Sequence, residues 1–599
     1  MPPQNNSRNT ILFIVIAGLM LLAYNFFVME PQTKARRAAQ QTAAESAAAP
    51  STAPSPSAAV FTEDRTVALG RNGAVRVPIQ TGTLTGSLSL TGGRIDDLFL
   101  TRYRETIDKD SPAVELFRPE GMEHAYFAQF GWDAANVPGG VPGPNTPWRL
   151  TQGSTLTATT PVVLTWDNGA GLRFTRVISV DDQYLFTVTD TVANFSAQAV
   201  SMRPVAAVQR QGVPDSLGKN QVLHEGAIGT FGDGESYSTT QLKYKGWAKK
   251  PSDKHESTGG WLGITDKYWL AALIPAQDEK IDAEFRVIDA GGFDIHAAGL
   301  HGESRTIQPN TQITETQRLF AGAKRNEILA GYEKSLDVPR FVYAIDWGFL
   351  FFLTRPIFWL VEQFYKVLGN FGLAILALTL FVRLLMFPLA NKSYESMSKM
   401  RNLQPKMEEI KKKHPDEPQK QQQELMALYQ KEKINPLAGC LPLLIQMPIF
   451  YALYKVLFVT IEMRHAPFAL WIQDLSARDP TSIWTAFGLI PWNPASAPLI
   501  GGLLDGALHL GVLPIVYGLT MWLQQAMNPP APDPTQRQIF AFLPFVFTFI
   551  MAPFAAGLIL YWAWSNVLTI IQQYVIMHRY KAENPIDSFI ARFRKPKPA

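Results

Sequence analysis

Only one cysteine, Cys440, occurs in 599 residues, so no intrachain disulfide can form and any exported part must fold by core packing alone. Net charge is also scarce. The 55 Lys+Arg against 51 Asp+Glu leave +4, too balanced for a protein that coats nucleic acid unless the charge is segregated. Catalytic signatures are missing too: His124, His224, His255, His296 and His301 show no HxxH or HExxH spacing, and neither a GxSxG nor a P-loop occurs. Those histidines read as surface or loop residues of a structural domain, with a membrane-anchored carbohydrate-active enzyme as the alternative. At 47% hydrophobic and 18% charged residues, with a mean hydropathy of -0.02, the composition excludes a disordered chain, a collagen and a disulfide scaffold.

The averages hide segregation. A bilayer core about 30 Å thick needs about 20 helical residues with few charges. Uncharged runs of that length lie between Arg8 and Glu30, at 506–532 and at 538–577, while 367–391 carries one charge, Arg383, and 434–461 one, Lys455. The run 538–577 would be about 60 Å long as one helix, so Pro553 and Gly557 are read as its turn and the total is six spans. The first run lacks an A-x-A cleavage site, which favours a retained anchor. A seventh candidate, 481–504, is interrupted by Pro491, Pro494 and Pro498. Charge parity also opposes it: the basic loop 392–433 and the basic tail after Met577 both belong in the cytoplasm, which requires an even number of spans between them.

The predicted organisation is an N-terminal anchor at 1–30, an Ala/Pro/Ser-rich linker at 31–60, and a large domain at 61–340. An interfacial amphipathic helix follows at 341–366, with Trp347 and Trp359 at headgroup level. Then come span 2 at 367–391, a cytoplasmic helical hairpin at 392–433 broken at His414–Pro418, span 3 at 434–461, a periplasmic loop at 462–509, span 4 at 510–530, spans 5 and 6 within 538–577, and a basic tail at 578–599. In 61–340, segments such as TPVVLTWDNGAGLRFTRVISV alternate apolar with polar residues between Gly, Asn and Asp turns, the pattern of a large antiparallel β-sandwich. By the same parity this domain lies outside the cytoplasmic membrane, in the periplasm if there is an outer membrane, and both termini of this multi-pass protein are cytoplasmic.

Arg383 is the sharpest feature. It lies roughly 12 Å into its span, eight residues from Asn391, with no acidic residue inside any span to pair with it. Either it snorkels, or it faces a hydrated cavity lined by polar residues of other spans: Thr379, Gln446, Gln524, Gln525, Thr548, Ser565, Asn566, Thr569, Gln572 and Gln573. Each of those equally suits a helix-to-helix hydrogen bond.

The segments LFVRLLMFPL, YESMSKMRNLQPKMEEI, ELMALYQKEKINPLAGCLPLLIQMPIFYALY, APFALWIQDLSARDP and AGLILYWAWSNVLTIIQQ, in that order across about 340–580, resemble the YidC/Oxa/Alb family of membrane protein insertases in its Gram-negative form. The resemblance implies a polytopic α-helical membrane protein with a five-helix insertase core, a cationic groove open to cytoplasm and lipid, and a mutarotase-like periplasmic sandwich. Its partners would be nascent membrane proteins, the Sec translocon, the ribosome and membrane lipids. It implies neither metal, cofactor nor small-molecule substrate. Carried over by position, the groove residues are Arg383, Thr379, Gln446, Met447, Phe450, Thr548, Tyr561 and Trp562. Tyr394 and Asp416 belong to the cytoplasmic hairpin, and Arg592, Arg594, Lys595 and Lys597 are ribosome-contact candidates, although a solvated positive-inside tail fits them equally. Two positions depart from the family pattern: Phe387 replaces a usual Tyr, and PFAAGL at 553–558 replaces WFPSGL. LAGC at 437–440 looks like a lipobox but is internal and is not read as a lipidation site. A transporter or channel would also hydrate an arginine, but no inverted repeat is visible.

Overall fold

The computed structural model describes residues 64–71, 75–214, 217, 223–414, 417–432, 441–506, 508–528, 534–580 and 585–594. The expected anchor and linker, Asp416, Cys440, Lys595 and Lys597 lie outside the described residues.

Among the described residues, nineteen strands between Arg76 and Ala323 form two antiparallel sheets, of ten and nine strands. Alternation decides which face each strand buries. In Val200–Gln211, residues 200, 202, 204, 206, 208 and 210 are buried and their neighbours are more exposed, as a strand with one face on a core requires. Between the sheets, Arg176 is fully buried and its Nε and Nη2 reach the two carboxylate oxygens of Asp190 at 2.7 Å. Asp190 also accepts the Trp132 indole N–H at 2.9 Å, so this interior ion pair is closed by hydrogen bonds.

Ten helices of ten or more residues follow among the described residues: α1 (Asn326–Ser335), α2 (Phe351–Leu368), α3 (Phe371–Asn402), α4 (Gln404–Lys413), α5 (Pro418–Lys431), α6 (Leu441–Val459), α7 (Val512–Met527), α8 (Pro534–Met551), α9 (Ala556–Arg579) and α10 (Pro585–Arg594). Helix α9 packs on α7 and α3, α2 on α3 and α6, and α8 on α7. One of the ten, α3, is long and apolar enough to cross a membrane; Gln446–Val459 and Gln536–Met551 are shorter apolar stretches.

Several boundaries differ from expectation. The amphipathic helix predicted from 341 starts only at Phe351. Before it, Phe341, Val342, Ile345 and Trp347 are buried, Phe341 against Trp261 and Phe320 of the sheet domain. Trp347 is therefore a core residue, its indole N–H donating to the Val342 carbonyl, and not a headgroup anchor. Trp359, at 58% exposure, does face outward, opposite buried Ile357, Phe358 and Val361. Val367 and Leu368 belong to α2, not to span 2. The chain turns at left-handed Gly369, and Asn370 caps α3 by accepting the Leu373 N–H. Helix α3 then runs eleven residues past Asn391, so Tyr394 sits on α3, packed with Ala390 and Ile576, and not on the hairpin of α4 and α5.

Candidate functional site

Helix α9 is the centre of the polar layer. From α3, Arg383 Nη2 donates to Ser565 Oγ at 2.5 Å and to the Ser565 carbonyl at 3.4 Å. Among the described residues no carboxylate lies within ion-pair distance of Arg383. One turn before Ser565, Tyr561 is buried and accepts a hydrogen bond from Gln446 Nε2 of α6 at 2.5 Å. Beside it, the Trp562 ring stacks on Phe450 at 4.9 Å and 19°, with Tyr517 of α7 and Phe554 at 5.8 and 5.9 Å. Met447, 55% exposed, points off this cluster on α6. Arg383, Gln446, Phe450, Tyr561 and Trp562 thus meet where α3, α6 and α9 neighbour one another, while Met447 faces out from α6.

The two threonines do something else. Thr379 is buried and its hydroxyl donates to Ile375 O at 2.6 Å, while Thr548 donates to Pro544 O at 2.7 Å. Both satisfy backbone within their own helix. Thr548 also marks the close approach of α8 to α7, since a Cβ on Gly518 would collide with its hydroxyl. Of the other polar residues, Asn566 bonds Thr520, Gln572 bonds Asn391 and Gln573 bonds Asn528, each between helices. Arg401 donates to the Met527 carbonyl at 3.0 Å, tying the end of α3 to α7.

Sequence reasoning missed a second polar centre, where the sheet domain meets the helices. Lys455 of α6, 3% exposed, is 2.8 Å from Asp346, whose carboxylate also accepts the His224 and Gly348 backbone N–H groups. Burial alone would raise the Asp346 pKa, but the Lys455 charge and hydrogen bond outweigh it and hold the carboxyl below its usual range. Burial lowers His224 to about 4, so it is neutral, and it lowers Lys324 to about 8. Arg464 lies over Trp269 and donates to the Arg104 carbonyl at 2.6 Å. The available signal was a single lysine in an uncharged run, whose partner 109 residues away no spacing rule could name.

Two family models match the chain: the 60Kd inner membrane protein over residues 363–583 and the YidC periplasmic domain over 76–360. It is 53% identical to the membrane protein insertase YidC of Caulobacter vibrioides over 99% of both chains, and 45% identical to that of Nitrobacter hamburgensis over 100% of both. A crystal structure of an active YidC insertase with its first transmembrane domain resolved matches with a TM-score of 0.33 and 17% identity, covering 83% of this chain and 93% of that one. A putative aldose 1-epimerase of Escherichia coli matches 42% of the chain, with a TM-score of 0.28 and 12% identity. From its full-length identity to these relatives, the chain belongs to the YidC family of membrane protein insertases.

Proposed function

We propose that this protein inserts nascent integral membrane proteins into the bacterial inner membrane and helps them fold, alone or with the Sec translocon. Its family is one of insertases, not enzymes. In this reading the chain crosses the membrane six times, at 1–30, in the Phe371–Asn391 part of α3, at 434–461, at 510–530 and twice within 538–577. The sheet domain is periplasmic, and both termini and the loop 392–433 are cytoplasmic, an orientation supported by the basic residues of that loop and the tail.

The observation that carries the mechanism is Arg383, a cation in an apolar helix whose hydrogen-bond partner is a neutral serine. A guanidinium has five N–H donors, and the contact with Ser565 uses only one nitrogen. The remaining donors attract the polar or acidic end of a nascent chain partway into a hydrated groove, shortening the distance it crosses without solvent. Its apolar segment then slides past Met447 and the Phe450–Trp562 stack into lipid. Partition drives the step: about 20 apolar residues at roughly -0.3 to -0.6 kcal/mol each supply several kcal/mol, so no nucleotide is needed. The basic loop and tail contact the ribosome through RNA phosphates.

Crosslinking a stalled nascent chain to Met447→Cys in a Cys440→Ser background tests the sliding face, and a missing crosslink would overturn it. In complementation, Arg383→Ala should impair substrates with acidic translocated tails more than neutral ones, and Arg383→Lys should restore much of the loss. If all substrates insert normally with Arg383→Ala, charge attraction is wrong.

A further inference from the structure

The segment between α6 and α7 has the apolar composition of a span, yet it forms no spanning helix. Residues 481–504 carry no charge, and they fold into short turns at Ile483–Gly488 and Pro494–Ser496 and one helical turn at Gly501–Leu504. Charges are confined to its feet. Arg478 pairs with Asp505 at 2.7 Å. Asp479, fully buried, accepts the Trp471 indole N–H and the backbone N–H groups of Thr481 and Leu513. The Ala556 N–H donates to Ala477 O at 2.7 Å. These bonds pin the excursion to the starts of α7 and α9, the same end of the bundle as the end of α6.

Its apolar side chains turn away from the protein. Leu489 is 87% exposed and Leu499 fully exposed, and Phe487, Ile490, Ile500 and Leu503 are exposed as well. Phe487 and Leu499 hold left-handed backbone, at φ 60° and 66°, a conformation that bulky L-residues adopt at a cost. Both indole N–H groups are satisfied inside the loop, Trp484 to Leu508 O and Trp492 to Trp484 O, so neither ring needs water. A patch of this kind on a water-facing loop marks an interaction surface. Three features select lipid as the occupant: the lack of charge over 24 residues, the position at the ends of the helices, and continuity along the chain with the exposed Val516, Leu519 and Trp522 of α7.

We infer that residues 481–504 form an interfacial foot that beds its apolar side chains in the glycerol and upper acyl region of outer-leaflet phospholipid. The side of the membrane rests on the orientation proposed above. The foot would brace the periplasmic end of α7 and α9 against the bilayer, beside the helices that carry the groove wall.

The test uses the full chain in phosphatidylcholine–phosphatidylglycerol proteoliposomes, with Leu489→Cys, Leu499→Cys or, as a water-exposed reference on the sheet domain, Asp233→Cys, all in a Cys440→Ser background and labelled with bimane. An interfacial element sits about 5–10 Å into the headgroup and acyl boundary. Labels at 489 and 499 should therefore lose at least about twice as much fluorescence as 233 to lipids spin-labelled high on the acyl chain, and less than 233 to aqueous iodide. Iodide quenching equal to that at 233 overturns the inference. So does protection from both quenchers, which would mean that a second copy or another protein covers the face. In spheroplasts, an impermeant maleimide should reach Asp233→Cys. If it reaches that position only after lysis, the orientation fails and the outer-leaflet assignment with it, even where lipid quenching stands.

Discussion

Replacing Glu462 by Gln should stabilise the protein, and by more as the pH rises. Glu462 lies in the single turn Ile461–Met463 just beyond α6, with one carboxylate oxygen sealed from solvent and without a hydrogen-bond partner. Burial raises its pKa to about 7. The Glu362 charge from α2 adds to this, while the Arg325 charge and the backbone N–H groups of Glu462 and Asn326 oppose it. The unfolded chain loses this proton near 4.5, whereas the folded chain keeps it to about 7. Between those values the folded state binds the extra proton, so stability falls as pH climbs from 4.5 through 7, and the full penalty persists above. At about 1.4 kcal/mol per pH unit that penalty approaches about 3 kcal/mol near pH 8.5, against roughly 1 kcal/mol near pH 5. Gln mimics the protonated acid, so thermal unfolding in detergent should show a Tm gain about three times larger near pH 8.5 than near pH 5. Equal gains at both pH values, or none at the higher, would refute the reasoning. Glu362→Gln should shift the same titration downward by removing the facing like charge.

Lys455→Met leaves Asp346 buried without its cation and should destabilise the junction of sheet domain and helices by about 3–5 kcal/mol, read as faster proteolysis between them, with Lys455→Met/Asp346→Asn recovering most of the loss. Because the Asp346 pKa is held down in the fold, its contribution is present above the ordinary carboxylate range and lost as pH falls below it; an acid titration of the same proteolysis rate checks this. Gly518→Val should push α7 from α8 at Thr548 and cost about 1–3 kcal/mol in a thermal scan, with partial rescue by Thr548→Ala.

How much was legible depends on how far apart the partners stand. The alternation in Val200–Gln211 lies within one strand, and its burial pattern follows directly. The prolines at 491, 494 and 498 forbid a helix, and none crosses there. Gly369 and Asn370 carry a C-cap and an N-cap signal, which the apolar run continuing through them masks. Nothing local marked Thr379 and Thr548 as bonded to their own helices, because a hydroxyl in an apolar helix reads the same whether it faces a cavity or the backbone.

The sequence by itself determined the class of protein: long apolar runs, two basic segments flanking them, a period-two sheet domain and a lone Arg383, each legible from local residue pattern. Only the tertiary structure decided which polar groups meet. Ser565 receives Arg383 from 182 residues away, Tyr561 receives Gln446 from 115, and Asp346 receives Lys455 from 109. Those pairings follow from which helix faces pack together, because in a low-dielectric interior a buried polar group left unpaired is costly and packing decides which partner is within reach.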